Sequence, residues 1–404
     1  MPQGMRPLVH PGILVSRSML DGIRAAVLAQ TEPTYSAFVA ASTGWTPSYV
    51  ELPPVQLGNL SYVPHPQRVL SNGTGINPMR EDAFAAYTHA LLWTATRDER
   101  HALKAIAIMD CWVAAWVTPV DLKWGLQVAW AAAVWPRAAE IIKHVYARWE
   151  GADAFGRFLT ALMLPLVCSG ASTNGNIGLV MTEASIAISV FTDNSSAFDF
   201  FIERWRRQAP AYLYLRSDGP TPKRPPRQRY LENTSPTCSP ACTDAEMVTY
   251  WHGQRDFVAD GICQETCRDL GHTQLGLATL INTAETAYHQ GIDLYAEEAG
   301  RILAAAELHA SLLGVEPATR RQPVPSFLCG GRLRGAVNAS ATWWMLHHHF
   351  HTRRGLALPN VSALLPQIRP SCWDQICWET LTHGGSFNAS AASGVRPSAR
   401  RGAC

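Results

Sequence analysis

The sequence predicts an all-α protein made of antiparallel helical hairpins. Apolar residues recur at helical spacing from Glu81 onward, and the polar breaks between periodic segments are short. The alternation of Val, Ile and Thr that is typical of strands is nearly absent, and no hairpin signal between strands is found. Successive helical hairpins pack into a solenoid, a bundle or a closed toroid. We expect an (α/α) toroid, an incomplete barrel whose central cavity suits a long polymer.

The chain divides into three parts. Residues 1–80 are rich in Pro, Gly and Ser and contain one amphipathic stretch, Leu20–Leu28. We therefore expect an irregular segment with one short helix, packed on the main domain. Residues 81–385 carry the helical pattern and form the predicted toroid domain. Residues 386–404 are rich in Gly, Ser, Ala and Arg, which predicts a flexible tail.

The helices can be placed in order along the toroid domain. The first hairpin joins Phe84–Leu92 to Leu103–Val113 across a short polar break. Further helices are predicted at Leu122–Val145, Ala154–Cys168, Ile177–Phe191, Ala197–Ala209, Ile262–Tyr288, Leu294–Leu313 and Ala336–Phe350. The largest interruption is Arg216–Asp244, a proline-rich basic loop. Such a loop either meets an anionic ligand or is a solvated surface loop.

Composition and charge exclude several classes of protein. The 404-residue chain is 47% hydrophobic and 16% charged, which predicts a folded protein rather than a disordered one. A net charge of +2 argues against nucleic acid and anionic membranes as partners. No apolar run reaches the roughly 18–20 residues that a membrane span needs. We expect a monomer with neither of these partners.

The asparagine pattern indicates a secretory route. Seven of the eleven asparagines begin an Asn-X-Ser/Thr acceptor pattern, and the chain has ten cysteines. This enrichment predicts a glycosylated extracellular protein with disulfides. No apolar signal segment is visible in Met1–Arg17, so we expect the signal to lie outside this chain. A cytosolic protein with chance acceptor patterns is the alternative.

The densest cluster of reactive side chains lies between Asp260 and His272. If a helix begins at Ile262, then Glu265, Arg268 and His272 share one of its faces and Asp269 falls beside them. An acid, a permanent cation and an imidazole on one face are costly to bury without a purpose. The alternative is a salt-bridged helix end with a satisfied histidine.

A second constellation opens the predicted helix Ile177–Phe191. Asn174-Gly175-Asn176 follows Ser172 and Thr173, which are good N-cap residues. A plain turn and cap explains this segment on its own, so its functional interpretation depends on what else reaches it.

Together these segments resemble a known family. Asp260-Gly-X-X-Gln-Glu265-X-X-Arg268, with His272 one turn later, resembles the signature of the alginate-lyase-like superfamily of polysaccharide lyases. Further segments that are similar to its members are His10-Pro-Gly, Leu20-Asp-X-Ile23, Asn174-Gly-Asn176, Pro210–Tyr214 and Thr380–His383. The resemblance implies an α/α toroid and a carbon–oxygen lyase. It also implies cleavage of a uronic-acid glycan, of alginate or glucuronan type, by β-elimination without a metal or other cofactor.

The resemblance also implies roles for individual residues. Asn176 takes the place of the asparagine that neutralises the uronate, and Arg268 that of the family's arginine. Ile177 stands where alginate lyases of the family have a histidine, and His272 stands near the place of their tyrosine. This chain is therefore closer to relatives that keep Glu and His on the later helix, some of which cleave glucuronan or alginate.

The chemistry of elimination fits these residue types. Hydrogen bonds and positive charge from Asn176 and Arg268 would stabilise the enediolate formed from the uronate carboxylate. His272 would remove the C5 proton, and Glu265 would orient it or, if protonated, bind the carboxylate. A tyrosine or the same histidine would protonate O4 of the leaving sugar, and Tyr250 is favoured as this tyrosine over Tyr212 and Tyr214. The predicted substrate-binding residues are Asn174, Trp251, His252, Gln264 and Asp269.

Two other functions remain open from the sequence. A glycoside hydrolase on the same toroid would use two carboxylates from Asp260, Glu265 and Asp269, although Arg268 would lower the pKa of a nearby acid. A non-catalytic glycan-binding protein would use some of the fourteen tryptophans as stacking platforms.

The cysteines and the histidine run raise the question of a metal. Cys238/Cys242 and Cys263/Cys267 have equal spacing, which suits either disulfides or four zinc ligands. We expect at least one bridge between the two pairs, since an i, i+4 bridge within one helix is strained. His347 and His351 also stand at i, i+4, but no acidic third ligand is nearby, and we expect no metal site there.

Overall fold

The computed structural model describes residues 7–44, 56–67, 74–116, 125–168, 175–225, 242–313, 323–334 and 339–385. Helices make up 66% of the structure and strands only 2%, which confirms the all-α prediction. The helices are α1 Arg17–Leu28, α2 Thr34–Thr43, α3 Ile76–Thr96, α4 Glu99–Ala115, α5 Gly125–Ile141, α6 Ala152–Phe158, α7 Leu164–Val167, α8 Gly175–Phe191, α9 Ser195–Tyr212, α10 Asp244–Tyr250, α11 Leu270–His289, α12 Leu294–Glu297, α13 Ala299–Leu312, α14 Thr342–His347, α15 Pro359–Leu364 and α16 Glu379–His383. Three π-helical turns extend this scaffold, at Ile142–Tyr146, Leu159–Met163 and His348–Arg353.

The helices form an α/α toroid. An inner row runs through α3, α5, α8, α11, α14 and α16, each packed against the next. Helices α1 and α2 contact both α16 and α3 and so complete the ring. Helix α4 packs outside α3, and α9 packs outside α8. The predicted toroid is therefore confirmed.

Burial explains which helices lie inside. Every residue of α8 is buried, and α5 buries a nearly continuous Ala- and Trp-rich run, whereas α4 and α9 keep an exposed face. A helix that is apolar on all sides is stable only when surrounded. The inner helices also carry polar groups: Arg137 donates to Glu183 at 2.6 Å, and Asn282 donates to the same carboxylate at 2.9 Å.

The helix predicted from Ile262 begins eight residues later, at Leu270. Residues 260–269 form turns, and Leu213 and Cys263 form an isolated bridge instead. Gly261 has φ +86°, and a Cβ there would lie 2.3 Å from the backbone of Ala304. Ile262 and Cys263 are buried apart from the helix, so their hydrophobicity does not belong to its apolar face.

Other predicted elements also differ at their boundaries. The predicted helix Leu294–Leu313 is interrupted at Glu298, and α3 begins at Ile76, within the segment predicted to be irregular. Helix α2 was not predicted. A two-stranded hairpin, β1 Cys372–Trp373 and β2 Ile376–Cys377, is present although none was predicted. Strands of two residues are too short to show an alternating pattern.

The predicted bridge between the two cysteine pairs is wrong. Cys267 is bonded to Cys329, and Cys263 is a free buried thiol. Because residues 260–269 are not helical, the side chains of Cys263 and Cys267 point to different parts of the structure. The Cys263 sulfur lies 3.7 Å from Nδ1 of His309. Cys242 is disulfide-bonded as well, while Cys238 lies outside the described residues. A further disulfide, Cys372–Cys377, closes the β-hairpin.

Within the described ranges, no helix combines the length and apolar character that crossing a bilayer requires.

Candidate active site

A pocket of about 230 Å³ opens at the start of α11. Four parts of the chain form its walls: α5, the first turn of α8, the first two turns of α11 with the two residues before it, and the β-hairpin. Its lining residues are Leu126, Trp130, Asn176, Ile177, Arg268, Asp269, Gly271, His272, Leu275, Trp373 and Asp374. The structure thus brings Asn176 next to Arg268 and His272, although a large part of the chain separates them.

The first turn of α11 holds His272 in a defined orientation. Asp269 is the N-cap: its Oδ1 accepts from the backbone N–H of His272 at 2.8 Å, and its Oδ2 lies 2.7 Å from His272 Nδ1. Burial opposes ionisation of Asp269, but these hydrogen bonds and the charge of Arg268 hold its pKa below the usual range. A carboxylate only accepts, so the proton of a neutral His272 lies on Nδ1 and Nε2 keeps a lone pair.

Glu265 lies behind the pocket and connects its other polar groups. Its carboxylate accepts from the backbone N–H of Asn176 at 2.8 Å, from Asn176 Nδ2 at 2.9 Å and from Arg268 Nη1 at 2.9 Å. Burial raises the pKa of Glu265, although the charge of Arg268 opposes this. Glu265 therefore positions Asn176 and Arg268, whereas the contact with His272 is made by Asp269.

Close contacts explain why the middle residue of the Asn-Gly-Asn segment is a glycine. A Cβ at Gly175 would lie 3.2 Å from Oε1 of Glu265 and 3.3 Å from Oε1 of Gln264. These separations are tight, so a larger residue would require Glu265 or Gln264 to shift by a few tenths of an ångström. Asn174, predicted to bind substrate, lies outside the described residues.

The far wall of the pocket was missed by the sequence analysis. Asp374 sits at the turn of the disulfide-closed hairpin and accepts from Arg80 at 2.5 Å, and Arg80 in turn stacks over Trp130 at 5.2 Å. Burial raises the pKa of Asp374 to about 6, against the opposing charges of Arg80 and His272. The spacing of Cys372 and Cys377 is the one sequence signal that could have suggested this hairpin.

Tyr250 and Trp251 do not reach the pocket. Both are fully buried in a separate apolar cluster with Tyr214, Met247 and Ile262. Helix α10 ends at Tyr250, and the rings of Tyr250 and Trp251 pack into this cluster rather than face a cavity. The expected catalytic tyrosine is thus displaced from the site, and no tyrosine is among the residues that line the described pocket.

The remaining predicted residues lie around the site. Gln264 is buried and donates to the backbone carbonyl of Tyr250. The hydroxyl of Tyr212 is buried behind Glu265, 3.3 Å from its Oε2. His252 is partly buried, and burial together with the charges of Arg268 and His272 lowers its pKa to about 4. His252 therefore lies close enough to interact electrostatically with Arg268 and His272, although it does not line the pocket.

Comparison with solved structures decides the fold. Alginate lyase A1-III from Sphingomonas species A1 aligns with a TM-score of 0.55 and 17% identity, over 87% of this chain and 94% of that one. The chain has the alginate-lyase fold. A histidine-to-alanine variant of that enzyme, complexed with a tetrasaccharide, gives the same score and identity over 87% and 93%. An alginate lyase from Bacteroides ovatus aligns with a TM-score of 0.54 and 13% identity, over 93% and 99%.

No family model and no curated protein matches the sequence. The likeness to the alginate-lyase fold is therefore one of backbone architecture at 13–17% identity.

Proposed function

We propose that this protein is a polysaccharide lyase that cleaves a uronic-acid glycan by β-elimination in the pocket at the start of α11. The observation that carries the proposal is the convergence of Asn176, Arg268 and the Asp269–His272 pair on one pocket of an alginate-lyase fold. The proposed catalytic residues are Asn176, Arg268 and His272, with Asp269 and Glu265 as positioning residues.

The first proposed step is neutralisation of the substrate carboxylate. A C5 proton becomes acidic enough to remove only when the adjacent carboxylate is stabilised as an enediolate. Arg268 supplies a fixed positive charge and Asn176 an amide, and Glu265 holds both in place through three hydrogen bonds. We propose that these side chains suffice and that the step requires no metal ion.

The second proposed step is removal of the C5 proton by Nε2 of His272. The pair with Asp269 keeps the proton on Nδ1 and stabilises the imidazolium that forms. Electrons of the C5–H bond form the C4–C5 double bond, and the C4–O bond breaks. We propose that the imidazolium then returns its proton to the leaving O4, because no tyrosine lines the described pocket.

The alternative of a glycoside hydrolase receives less support. Of its three candidate carboxylates, Asp260 is paired with Arg216 away from the pocket, and Glu265 is held by Asn176 and Arg268. Asp269 lines the pocket but binds His272. The proton donor that a hydrolase needs would then have to be Asp374, which is already bound to Arg80.

The proposed substrate is a polyuronate of alginate or glucuronan type, and the protein is proposed to act outside the cell. The tetrasaccharide bound by the A1-III variant supports an extended oligosaccharide ligand for this fold. Arg268 supplies positive charge at the pocket, and Trp130 and Trp373 line it with apolar rings against which sugars can stack. The two fully described disulfides are consistent with an oxidising compartment.

The experiment is a screen of the purified full chain against alginate, glucuronan, pectate and heparinoids. The expected result is ultraviolet absorbance of the unsaturated product with one or two of the uronates, together with chain shortening. New reducing ends without this absorbance would instead establish a hydrolase, and binding without shortening would establish a glycan-binding protein.

A further inference from the structure

A second cluster of polar side chains lies at the end of α5, outside the pocket. It combines His10 from the N-terminal segment, Glu140 from α5 and His144 from the π-helical turn that follows. His10 Nδ1 lies 3.0 Å from Oε1 of Glu140, and His144 Nε2 lies 3.5 Å from the same oxygen. One donor atom from each residue falls within 4.8 Å of the other two.

The outer atoms of two of these side chains are held by neighbours. His10 Nε2 lies 2.8 Å from Oδ1 of Asp193, and Oε2 of Glu140 accepts from the backbone N–H of Gly12 at 3.1 Å. His10 Nδ1 and Glu140 Oε1 are thereby turned toward each other and toward His144. Metal ligands are fixed in this way, through hydrogen bonds from their remote atoms to a carboxylate or to the backbone.

The third donor has no competing hydrogen bond. Nε2 of His144 is buried and makes no hydrogen bond within the described part of the chain. Glu140 Oε1, 3.5 Å away, forms an ion pair with this ring only when the ring is protonated. A buried ring nitrogen without a hydrogen bond is costly, because it has lost water without replacement. A cation between the three residues would give this nitrogen a partner.

We propose that His10, Glu140 and His144 form a binding site for a divalent transition metal, with Zn²⁺ as the best match. Two imidazoles and one carboxylate are a common zinc ligand set, leaving one position for water. The two imidazole rings now stack with centroids 4.1 Å apart and an 11° interplanar angle. With the rings nearly parallel, the lone pairs of His10 Nδ1 and His144 Nε2 do not point at a common ion, so one ring must tilt before both can bind it. His144 is the ring that tilts, since Asp193 and Glu140 hold His10 on both sides.

The ion would tie the N-terminal segment to the ring of inner helices. His10 precedes α1, Glu140 is in α5, and Asp193 lies in the turn between α8 and α9. None of these residues lines the pocket, so the metal has no part in the proposed elimination. The inference does not depend on the proposed function.

The test is a titration of the chelator-treated full chain with ZnCl₂, followed by calorimetry, and with CoCl₂, followed by visible absorption. We expect one ion per chain and the absorption bands of a low-coordinate Co²⁺ site. Glu140→Gln and His144→Ala should abolish this binding. The matched control is His347→Ala, which should leave the binding unchanged. It removes one ring of another close histidine pair, since the ring centroids of His347 and His351 lie 4.4 Å apart.

Asp193→Asn covers the case in which the ligand variants fail to fold, because Asp193 is largely exposed. Replacing the carboxylate by a neutral amide weakens this outer hydrogen bond and should weaken zinc binding roughly 10–100-fold. The proposal is overturned if the wild-type chain binds no stoichiometric Zn²⁺. It is also overturned if His347→Ala removes the binding, or if Asp193→Asn and His144→Ala leave it unchanged.

Discussion

At the level of single residues, Asp269 links folding to the proposed chemistry. One oxygen caps α11 through the backbone of His272, and the other binds the imidazole of the same residue. The ring is thus oriented by the group that starts its helix. A substitution of Asp269 can affect both the helix cap and the orientation of the imidazole, and different substitutions separate these two effects.

His272→Ala should lower the turnover rate roughly 10²–10⁴-fold while the Michaelis constant changes little, because the base acts in the transition state. Steady-state kinetics on the polyuronate found in the screen provide the measurement. His347→Ala, a partly exposed histidine that does not line the pocket, is the control. Near-normal turnover in His272→Ala would remove this residue from the mechanism.

Asp269→Asn should separate the helix cap from the orientation of the imidazole. Asparagine caps helices about as well as aspartate, so the stability of the fold should change little. With its amide oxygen used by the cap, the NH2 group that replaces Oδ2 cannot accept from Nδ1–H, so the wrong tautomer forms and turnover should fall about 10²–10⁴-fold. Asp269→Ala should in addition lose about 0.5–2 kcal/mol of stability in urea unfolding. Equal turnover in Asp269→Asn and wild type would contradict the assigned orientation.

Asp374 gives a pH-dependent stability. Its pKa is about 6 in the folded protein and about 4 in the unfolded chain, so the folded state holds more protons between these values. The free energy of unfolding should therefore fall as pH rises from about 4 to about 6 and level off above. Asp374→Asn should remove this part of the pH dependence in urea unfolding at matched pH values. An unchanged profile would show that Asp374 does not titrate in this range.

At the level of elements, the two described disulfides should differ in effect. Cys372–Cys377 closes a short loop that carries Trp373 and Asp374 into the pocket. Cys267–Cys329 closes a loop of 62 residues and lies behind the site. Chain-entropy arguments assign roughly 2 kcal/mol to the short loop and roughly 4 kcal/mol to the long one.

The double variant Cys372→Ser/Cys377→Ser should therefore lose activity with a modest loss of stability. Cys267→Ser/Cys329→Ser should lose more stability, measured by thermal unfolding of the purified proteins. A short-loop variant with full activity would indicate that the hairpin does not shape the pocket.

Helices with a long apolar periodicity could be predicted from the sequence, whereas local and irregular contacts could not. Helix α8 was predicted almost to its boundaries, because every turn of it is apolar. The start of α11 was placed eight residues early, because Ile262 and Cys263 are apolar for another reason: they are buried outside that helix. Two-residue strands carry no period at all, so the hairpin with Asp374 was not predicted.

At the level of the whole molecule, the ring of helices explains why distant motifs could be matched in advance. Asn176 and Glu265 lie on neighbouring parts of the inner wall, and the family resemblance assigns their two sequence motifs to one site. The catalytic tyrosine could not be placed by the same means. Tyr250 is near in sequence, but the small apolar cluster at the end of α10 buries its ring.

The central claim is that the pocket eliminates across C4–C5 rather than adding water. Mass spectrometry of products formed in water labelled with heavy oxygen tests it most directly. Elimination breaks the C4–O bond without consuming water, so the account predicts unsaturated oligosaccharides, with no heavy oxygen incorporated by the cleavage itself once exchange at the reducing end is subtracted. Saturated products that carry one heavy oxygen per cleavage would contradict the account and make the protein a hydrolase.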